Sequence, residues 1–132
     1  QIGIPVSISV SVSNGGTEFA GAWIDLNQDG TFSAGEFITL TDADGLAPWV
    51  FDGSINLPLN ATLGTTVLRV RSSYFTAVDP GSACSNDYSY GETEDYLFEV
   101  LPPPTPANAT ASIIDDCNNN AFTIDVNIAD FG

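Results

Sequence analysis

The feature that most constrains this chain is an acidic twelve-residue segment, residues 25–36, which lies between stretches typical of β-strands. It reads Asp-Leu-Asn-Gln-Asp-Gly-Thr-Phe-Ser-Ala-Gly-Glu, with oxygen-bearing residues at alternate positions and glycine where such a loop must turn sharply. Alternate residues of a tight loop point inward together and can share one hard cation. The spacing therefore predicts a Ca²⁺ site, and the simpler alternative is a hairpin turn with solvated acids.

All the expected ligands of this ion are oxygen donors. They are Asp25, Asn27, Asp29, the backbone carbonyl of Thr31, Ser33 directly or through water, and Glu36. Glu36 is expected to close the site with both carboxylate oxygens. An EF-hand needs a helix on each side of its loop, whereas Val6, Ile8, Val10 and Val12 upstream alternate with serines, as in a strand. The ion is thus expected to stabilise the connection between two strands, and a calcium switch that works by opening a pair of helices is not expected.

Strand patterns recur along the chain between Gly, Asn and Asp turns, which predicts an all-β antiparallel sandwich of the immunoglobulin or jelly-roll type. No segment has a convincing helical period. The predicted strands are residues 6–13, 19–25, 36–40, 49–57, 65–74, 95–101, 111–114 and 122–128.

A proline-rich segment, residues 102–106, divides the chain, because proline favours an extended spacer over a strand ladder. We therefore expect a sandwich over residues 1–101, a linker over 102–106 and further strands over 107–132. The last segment is too short for a sandwich of its own. It is either the start of a second immunoglobulin-like or fibronectin-like module, which we slightly prefer, or a donor of strands to a neighbour.

The charge balance excludes several classes of partner. The chain has seventeen acidic residues, two basic residues and no histidine, which gives a formal net charge of −15. Such a surface repels nucleic acids and anionic lipids, and no apolar stretch is long enough to span a membrane. The self-repulsion would be relieved by bound divalent cations, although a saline habitat is an alternative explanation for the acid excess.

A second acidic cluster comprises Glu92, Glu94 and Asp95. Carboxylates this close repel one another unless a positive group lies among them. Arg69 and Arg71 share one face of their predicted strand, so ion pairs with this cluster are expected, with Arg71 bound to Glu92 or Asp95. The cluster could instead add a metal ligand, or remain a solvated turn.

Three segments together resemble the GEVED domain family, named for a Gly-Glu-Val-Glu-Asp motif. They are residues 23–32, residues 68–71 and residues 90–96, the last reading Tyr-Gly-Glu-Thr-Glu-Asp-Tyr with Thr93 in place of valine. The resemblance covers roughly residues 1–101. It implies a non-catalytic module of a secreted or cell-surface bacterial protein. GEVED regions usually carry another strand before the equivalent of residues 6–13, and this chain lacks it, which makes strand donation by the tail or a neighbour more credible.

Catalysis is not expected, because without histidine or lysine no base is present to activate a serine. A pair of carboxylates for glycoside hydrolysis, Glu92 with Glu94 or Asp95, has no separated acid and base roles. Cys84 and Cys117 could pair with each other, pair outside the chain or remain free thiols.

Two non-enzymatic functions are left. The first is a structural subunit or repeat of an extracellular filament or adhesin, joined to itself or to neighbouring β modules by strand complementation. The second is a module that binds polysaccharide or a host surface through exposed aromatic rings. For that role we expect Trp49, Tyr88 and Tyr90 to be accessible, and we expect Trp23 to belong to the core.

Overall fold

The fold is all-β, as the strand patterns predict. The computed structural model describes residues 1–13, 16–86, 88–116, 119 and 121–130. Within them lie nine strands and one short 3₁₀ turn, Ala34–Glu36. The strands are β1 (Val6–Val12), β2 (Glu18–Ile24), β3 (Phe37–Thr39), β4 (Thr41–Asp42), β5 (Trp49–Ile55), β6 (Gly64–Tyr74), β7 (Thr93–Val100), β8 (Asn108–Asp116) and β9 (Ala121–Asp130).

Seven of these strands form two antiparallel sheets that face each other. One sheet has the order β1-β5-β4 and the other has the order β3-β2-β6-β7. Both contribute to a single apolar core, which includes Ala22 and Ile24 from β2 and Phe51 and Ile55 from β5. The chain from β1 to β7 is therefore a sandwich-like unit of three strands on four.

Strand alternation decides which side chains enter this core. On β6, Leu68 and Val70 pack against it, whereas Arg69 and Arg71 lie on the outer face of the sheet. This is the division that the alternation along residues 65–74 predicts, because successive side chains of a strand point to opposite faces.

The predicted strands all occur, with shifted ends. The largest difference is at residues 41–45, where the sequence reads as a turn, and Thr41 and Asp42 instead pair with β5 as the two-residue strand β4. Turn-forming residues at an edge can still add a short rung to a sheet, because pairing depends on the partner strand as well as on local preference.

A long connection between β6 and β7, residues 75–92, crosses the outer face of the four-stranded sheet; we refer to it as the crossing loop, and its Asp87 lies outside the described residues. Val78 of this loop lies against Gly21 of β2, where a β-carbon would come within 2.7 Å of it. Glycine at position 21 thus allows the loop to approach the sheet closely.

The last two strands form a separate two-stranded sheet, the tail hairpin β8–β9. Residues 102–107, which precede it, are outside any strand. Every side chain between Pro102 and Ala129 whose burial is described is exposed. The hairpin therefore shares none of the core of the sandwich-like unit.

Candidate functional site

The predicted metal loop, residues 25–36, connects the end of β2 to the start of β3. Its first acid, Asp25, is 6% exposed, and its carboxylate accepts hydrogen bonds from the backbone N–H groups of Asp29 at 3.1 Å and Gly30 at 3.0 Å. The backbone of Asp25 is also fixed, because its N–H donates to the carbonyl of Val67 at 3.1 Å. The loop thus curls around a buried carboxylate at its first position.

Its last acid, Glu36, is equally buried, at 6% exposed. Oε1 accepts from the backbone N–H of Leu26 at 2.8 Å, and Oε2 accepts from the N–H of Ser33 at 2.8 Å and its hydroxyl at 2.9 Å. Glu36 therefore joins the second, ninth and twelfth positions of the loop. Both ends of the segment are brought together by one side chain.

The middle of the loop is exposed and is organised by Asp29. Its Oδ1 accepts from the N–H of Thr31 at 2.8 Å and from the Thr31 hydroxyl at 2.6 Å, while Oδ2 accepts from Asn27 Nδ2 at 2.8 Å. The hydrogen bonds from Thr31, followed by that from Asn27, lower the pKa of Asp29. The carboxylate is accordingly held in its charged form, which is the form that binds a cation.

Two residues of the loop adopt left-handed backbone conformations, Gln28 with φ 57° and Gly30 with φ 80°. Gly30 is the sixth position, where the sharp turn was expected, and glycine adopts this conformation without steric cost. Gln28 is held by its side chain, which donates to the carbonyls of Thr62 at 3.0 Å and Leu63 at 3.3 Å. The loop is thus tied to the turn before β6.

The donors of this loop are the hard oxygen ligands that Ca²⁺ prefers. The three acids Asp25, Asp29 and Glu36, the amide oxygen of Asn27 and the hydroxyl of Ser33 all belong to the same short segment. Across the described part of the chain, no group of three or more acidic, cysteine or histidine side chains is spaced as a metal cluster. The donor chemistry fits calcium, and the metal site stays a prediction.

The acidic motif of residues 91–95 is joined to the arginines of β6 through the strand register. Arg69 lies opposite Asp95, and its Nε and Nη2 donate to the two carboxylate oxygens, each at 2.7 Å. The sequence predicts that Arg71 pairs with Glu92 or Asp95. The described structure gives Asp95 to Arg69 instead, because the register places Arg71 opposite Thr93.

Arg71 holds the crossing loop rather than the acidic motif. Its guanidinium donates to the backbone carbonyls of Ser82 and Ser85 and lies over the ring of Tyr88, 4.5 Å from the centroid. Arg69 adds a hydrogen bond to the carbonyl of Ala83 at 3.2 Å. The two arginines therefore act together, from the same face of β6, to fasten the loop to the sheet.

The acidic motif of residues 91–95 begins where the backbone of Gly91 lies close to that of Ser72. Gly91 has φ 142°, and a β-carbon on it would lie 2.2 Å from the carbonyl oxygen of Ser72. The next residue, Glu92, accepts a backbone hydrogen bond from Ser72 at 2.9 Å. Glycine is needed here because any side chain would force the start of β7 away from β6.

Glu94 accepts a hydrogen bond from the hydroxyl of Tyr96, which raises the pKa of Tyr96.

The three aromatic residues proposed for sugar stacking differ in accessibility. Trp49 is half-buried, stacks on Phe51 and donates its indole N–H to the carbonyl of Gly16 at 2.6 Å. Tyr88 is half-buried beneath Arg71, whereas Tyr90 is 71% exposed. Of the three residues predicted to be accessible, only Tyr90 is widely exposed. Trp23 is fully buried, as expected, but it lies on the outer face of β2 beneath the crossing loop and not in the core between the sheets.

Cys84 has an exposed thiol in the crossing loop, 3.2 Å from Nη1 of Arg69. Cys117 lies outside the described residues, so the suggested disulfide stays a prediction.

One buried acid was not anticipated. Glu18, on β2, is 4% exposed, and its Oε1 has no hydrogen-bond partner within the described structure. Its position has the same parity along the strand as Ala20, Ala22 and Ile24, which the core contains. The sequence signal for this buried acid is its position in the alternation, because Glu18 occupies a place where the strand pattern calls for an apolar residue.

The comparison with protein families identifies the class of this chain. The GEVED domain model matches residues 19–99, more than half of the chain, and spans both the metal loop and the acidic motif. The chain belongs to the GEVED family, as its motifs suggested. GEVED domains are found in surface and secreted proteins. Searches of curated proteins and of solved structures found no match. The described residues include no helix of the length and hydropathy that a membrane span requires.

The Asp95–Arg69 pair predicts a loss of stability in acid. Hydrogen bonding to Arg69 lowers the pKa of Asp95, so its stabilising effect is present above the unfolded-state pKa of about 3.9 and is lost as the pH falls through the folded value. We expect Asp95→Asn to reduce the drop in melting temperature between about pH 5 and pH 3. The effect corresponds to no more than about 1 kcal/mol, because the carboxylate is partly solvated.

The control for this measurement is Glu99→Gln, on the exposed outer side of the same strand, which removes the same charge without breaking the pair. An equal change in the two acid profiles would mean that net charge, not the bidentate pair, causes the loss of stability.

Proposed function

We propose that this chain is a non-catalytic structural module of a secreted bacterial surface protein, stabilised by calcium and joined to neighbouring β modules in an adhesin or filament. The observation that carries the calcium component is the geometry of residues 25–36. Two buried carboxylates close the two ends of one loop, and every candidate ligand is an oxygen. In the calcium-rich exterior, an affinity of about 10⁻⁴–10⁻³ M is enough for continuous occupancy.

The structural role is supported by the contacts that the residues of the family motifs make. The residues that resemble the family motif hold strands and a loop together: Arg69 pairs with Asp95, Arg71 binds the crossing loop, and Gly91 allows a close approach of β7 to β6. None of these contacts leaves a nucleophile paired with a base, and the chain contains no histidine. The contacts of these motif residues thus account for a structural role, and none of them requires a catalytic role.

Assembly is supported by the tail hairpin. Its strands carry apolar side chains on one face, and Ile113 lies opposite Ile124, yet these are 72% and 54% exposed, while Val126 is 62% exposed. An isolated hairpin is marginally stable in water, and a contiguous exposed apolar face is typical of an interaction site. A neighbouring β module that covers this face would stabilise the hairpin and link the two modules.

Size-exclusion chromatography with light scattering tests the assembly component, in millimolar calcium and again with chelator. We expect concentration-dependent association of the full chain in calcium. Ile124→Asp should weaken it about tenfold or more, because a charge would be buried in the interface. The matched variant Thr123→Asp, on the opposite face of the same strand, should associate as the unmodified chain does.

A monomer at all concentrations in both buffers would refute self-assembly through the tail. The module would then be one that binds a different partner, and retention on immobilised polysaccharide is the next measurement. Tyr90 is the aromatic residue to substitute first in that case, because its ring is widely exposed.

A further inference from the structure

The two facing sheets have unequal numbers of strands, and the difference opens a groove at one side of the sandwich-like unit. The groove has a volume of about 750 Å³. Its walls come from β1, β6 and the start of β7, and its apolar lining includes Ile8, Val10, Leu68 and Val70. All four of these side chains are only partly buried. The groove thus exposes part of the core between the sheets.

The position of the groove is that of a missing strand. Strand β1 ends the three-stranded sheet and β7 ends the four-stranded sheet, so among the described residues no strand lies opposite the first half of β7. Glu94 and Tyr96, which have the inward parity of β7, are exposed, whereas Phe98 is half-buried and Val100 is buried. A strand added beside β1 would cover the exposed half of β7 and complete the second layer.

Of the sheet edges beside the groove, that of β1 is the more open to such an addition. Strand β1 is seven residues long and contains no charged residue, whereas the other groove edge, β7, carries Glu94, Asp95 and Glu99. Charged residues on an edge hinder pairing with another chain, and a long uncharged edge favours it. The backbone groups of Val6–Val12 that face away from β5 are therefore the ones available to an incoming strand.

The charge of the groove indicates what kind of strand fits. The unpartnered Oε1 of Glu18 is buried in the groove lining, and Glu92 and Glu94 lie at its rim. A buried carboxylate without a partner is costly and is stabilised by a cationic hydrogen-bond donor. The only cationic side chains of this chain are Arg69 and Arg71, and both are engaged on the outer face.

We propose that this groove binds an extended segment of a different protein, one that pairs with the edge of β1, places apolar side chains over Val10 and Val70, and directs a lysine or arginine to Glu18. A strand from a second copy fits the groove less well. Strand β9 brings Asp125 and no basic residue, and both copies are strongly acidic. The partner is thus a basic strand, bound at a site separate from the tail hairpin.

Fluorescence anisotropy with a defined probe tests this site on the full chain. The probe is a labelled nine-residue peptide, Ser-Lys-Thr-Val-Thr-Val-Thr-Lys-Thr, whose alternate positions present lysine, valine, valine and lysine in either strand direction. A matched peptide carries glutamate in place of both lysines. We expect the lysine peptide to bind at least about tenfold more tightly, because like charges in the groove disfavour the acidic one.

Substitution of the buried acid locates the binding. Glu18→Gln keeps the shape and removes the charge, and we expect it to weaken the lysine peptide about tenfold or more. Glu99→Gln removes one charge outside the groove and should change the affinity less than about twofold. Melting curves of both variants verify that they fold. Equal affinity of the unmodified chain and a folded Glu18→Gln variant would overturn the proposal.

Hydrogen exchange supplies a second readout that does not depend on the variants. Binding of the lysine peptide should protect the alternate backbone amides of Val6–Val12 that do not pair with β5, because strand addition pairs them. Protection confined to other segments would refute the β1 site. Displacement of the bound peptide by an excess of the folded Glu18→Gln variant, which itself should bind the peptide weakly, would show that a second copy fills the groove, and it would overturn the assignment of a basic partner. None of these results depends on whether the tail hairpin assembles.

Discussion

Calcium at about ten millimolar should raise the melting temperature of this chain by about 5–10 °C, and Glu36→Gln should remove most of that increase. An ion that binds the folded state alone stabilises it by the logarithm of its concentration relative to the dissociation constant. With a dissociation constant of about 10⁻⁴–10⁻³ M, this gives about 1.4–2.7 kcal/mol. The effect would be large for a single loop, because one bound ion would link its two ends.

Glu36 is the residue to change because it is buried and its side chain joins the two ends of the loop. Its two carboxylate oxygens bind the backbone of Leu26 and of Ser33, and a bidentate carboxylate is the ligand expected to close the metal site. Glutamine keeps one acceptor oxygen and loses the charge. The variant should therefore be somewhat less stable even in chelator, so the quantity to compare is the difference in melting temperature between calcium and chelator.

Two controls separate ion binding from general electrostatics. Magnesium at the same concentration has the same charge and screens the acidic surface equally, but it demands a stricter octahedral geometry than this loop is expected to supply. Asp52→Asn, at an exposed position on β5, removes an acid outside the loop and should retain the full calcium effect. If magnesium stabilises the chain as much as calcium does, relief of surface repulsion explains the increase and the specific site is refuted.

The all-β fold was predictable because its signals are local. The alternation of Val6, Ile8, Val10 and Val12 with serines indicates a strand and also its buried face, and these side chains pack against the core as that pattern requires. The pattern of residues 25–36 is equally local, since it lies within twelve consecutive residues, and the metal site that it indicates stays a prediction. The same holds for Gly30, whose left-handed conformation follows from its place in the loop.

Contacts that depend on pairing between distant strands were not predictable to the same degree. Arg69 and Arg71 have the same parity on β6, so the sequence indicates that both point outward but not which of them meets Asp95. That choice depends on the register between β6 and β7. The attachment of the crossing loop by Arg71 is similar, because its acceptors are backbone carbonyls, which no side-chain pattern reveals.

The substitution with the largest expected effect on folding is Trp23→Ala. Trp23 is fully buried, its ring lies 5.1 Å from that of Phe37, and its indole N–H donates to the carbonyl of Pro80 in the crossing loop at 3.1 Å. Removal of a buried tryptophan costs about 3–5 kcal/mol, which is a large share of the stability of about 5–15 kcal/mol that is usual for a domain. We expect a melting temperature lower by about 10 °C or more.

The contacts of Trp23 also predict where the variant will loosen first. Its position has the outward parity of β2, beneath the crossing loop, so Trp23→Ala should release that loop and speed chymotrypsin cleavage at Phe75, Tyr88 or Tyr90.

Trp49→Ala is the matched control, since Trp49 is half-buried and makes its indole hydrogen bond to Gly16 instead. It should cost less stability and leave loop cleavage unchanged. Equal destabilisation by both, with no change in cleavage, would mean that Trp23 contributes only to general packing. Trp23→Phe keeps a buried aromatic ring but leaves the Pro80 carbonyl without its donor, at a cost of about 1–3 kcal/mol in addition to the cost of the lost ring volume.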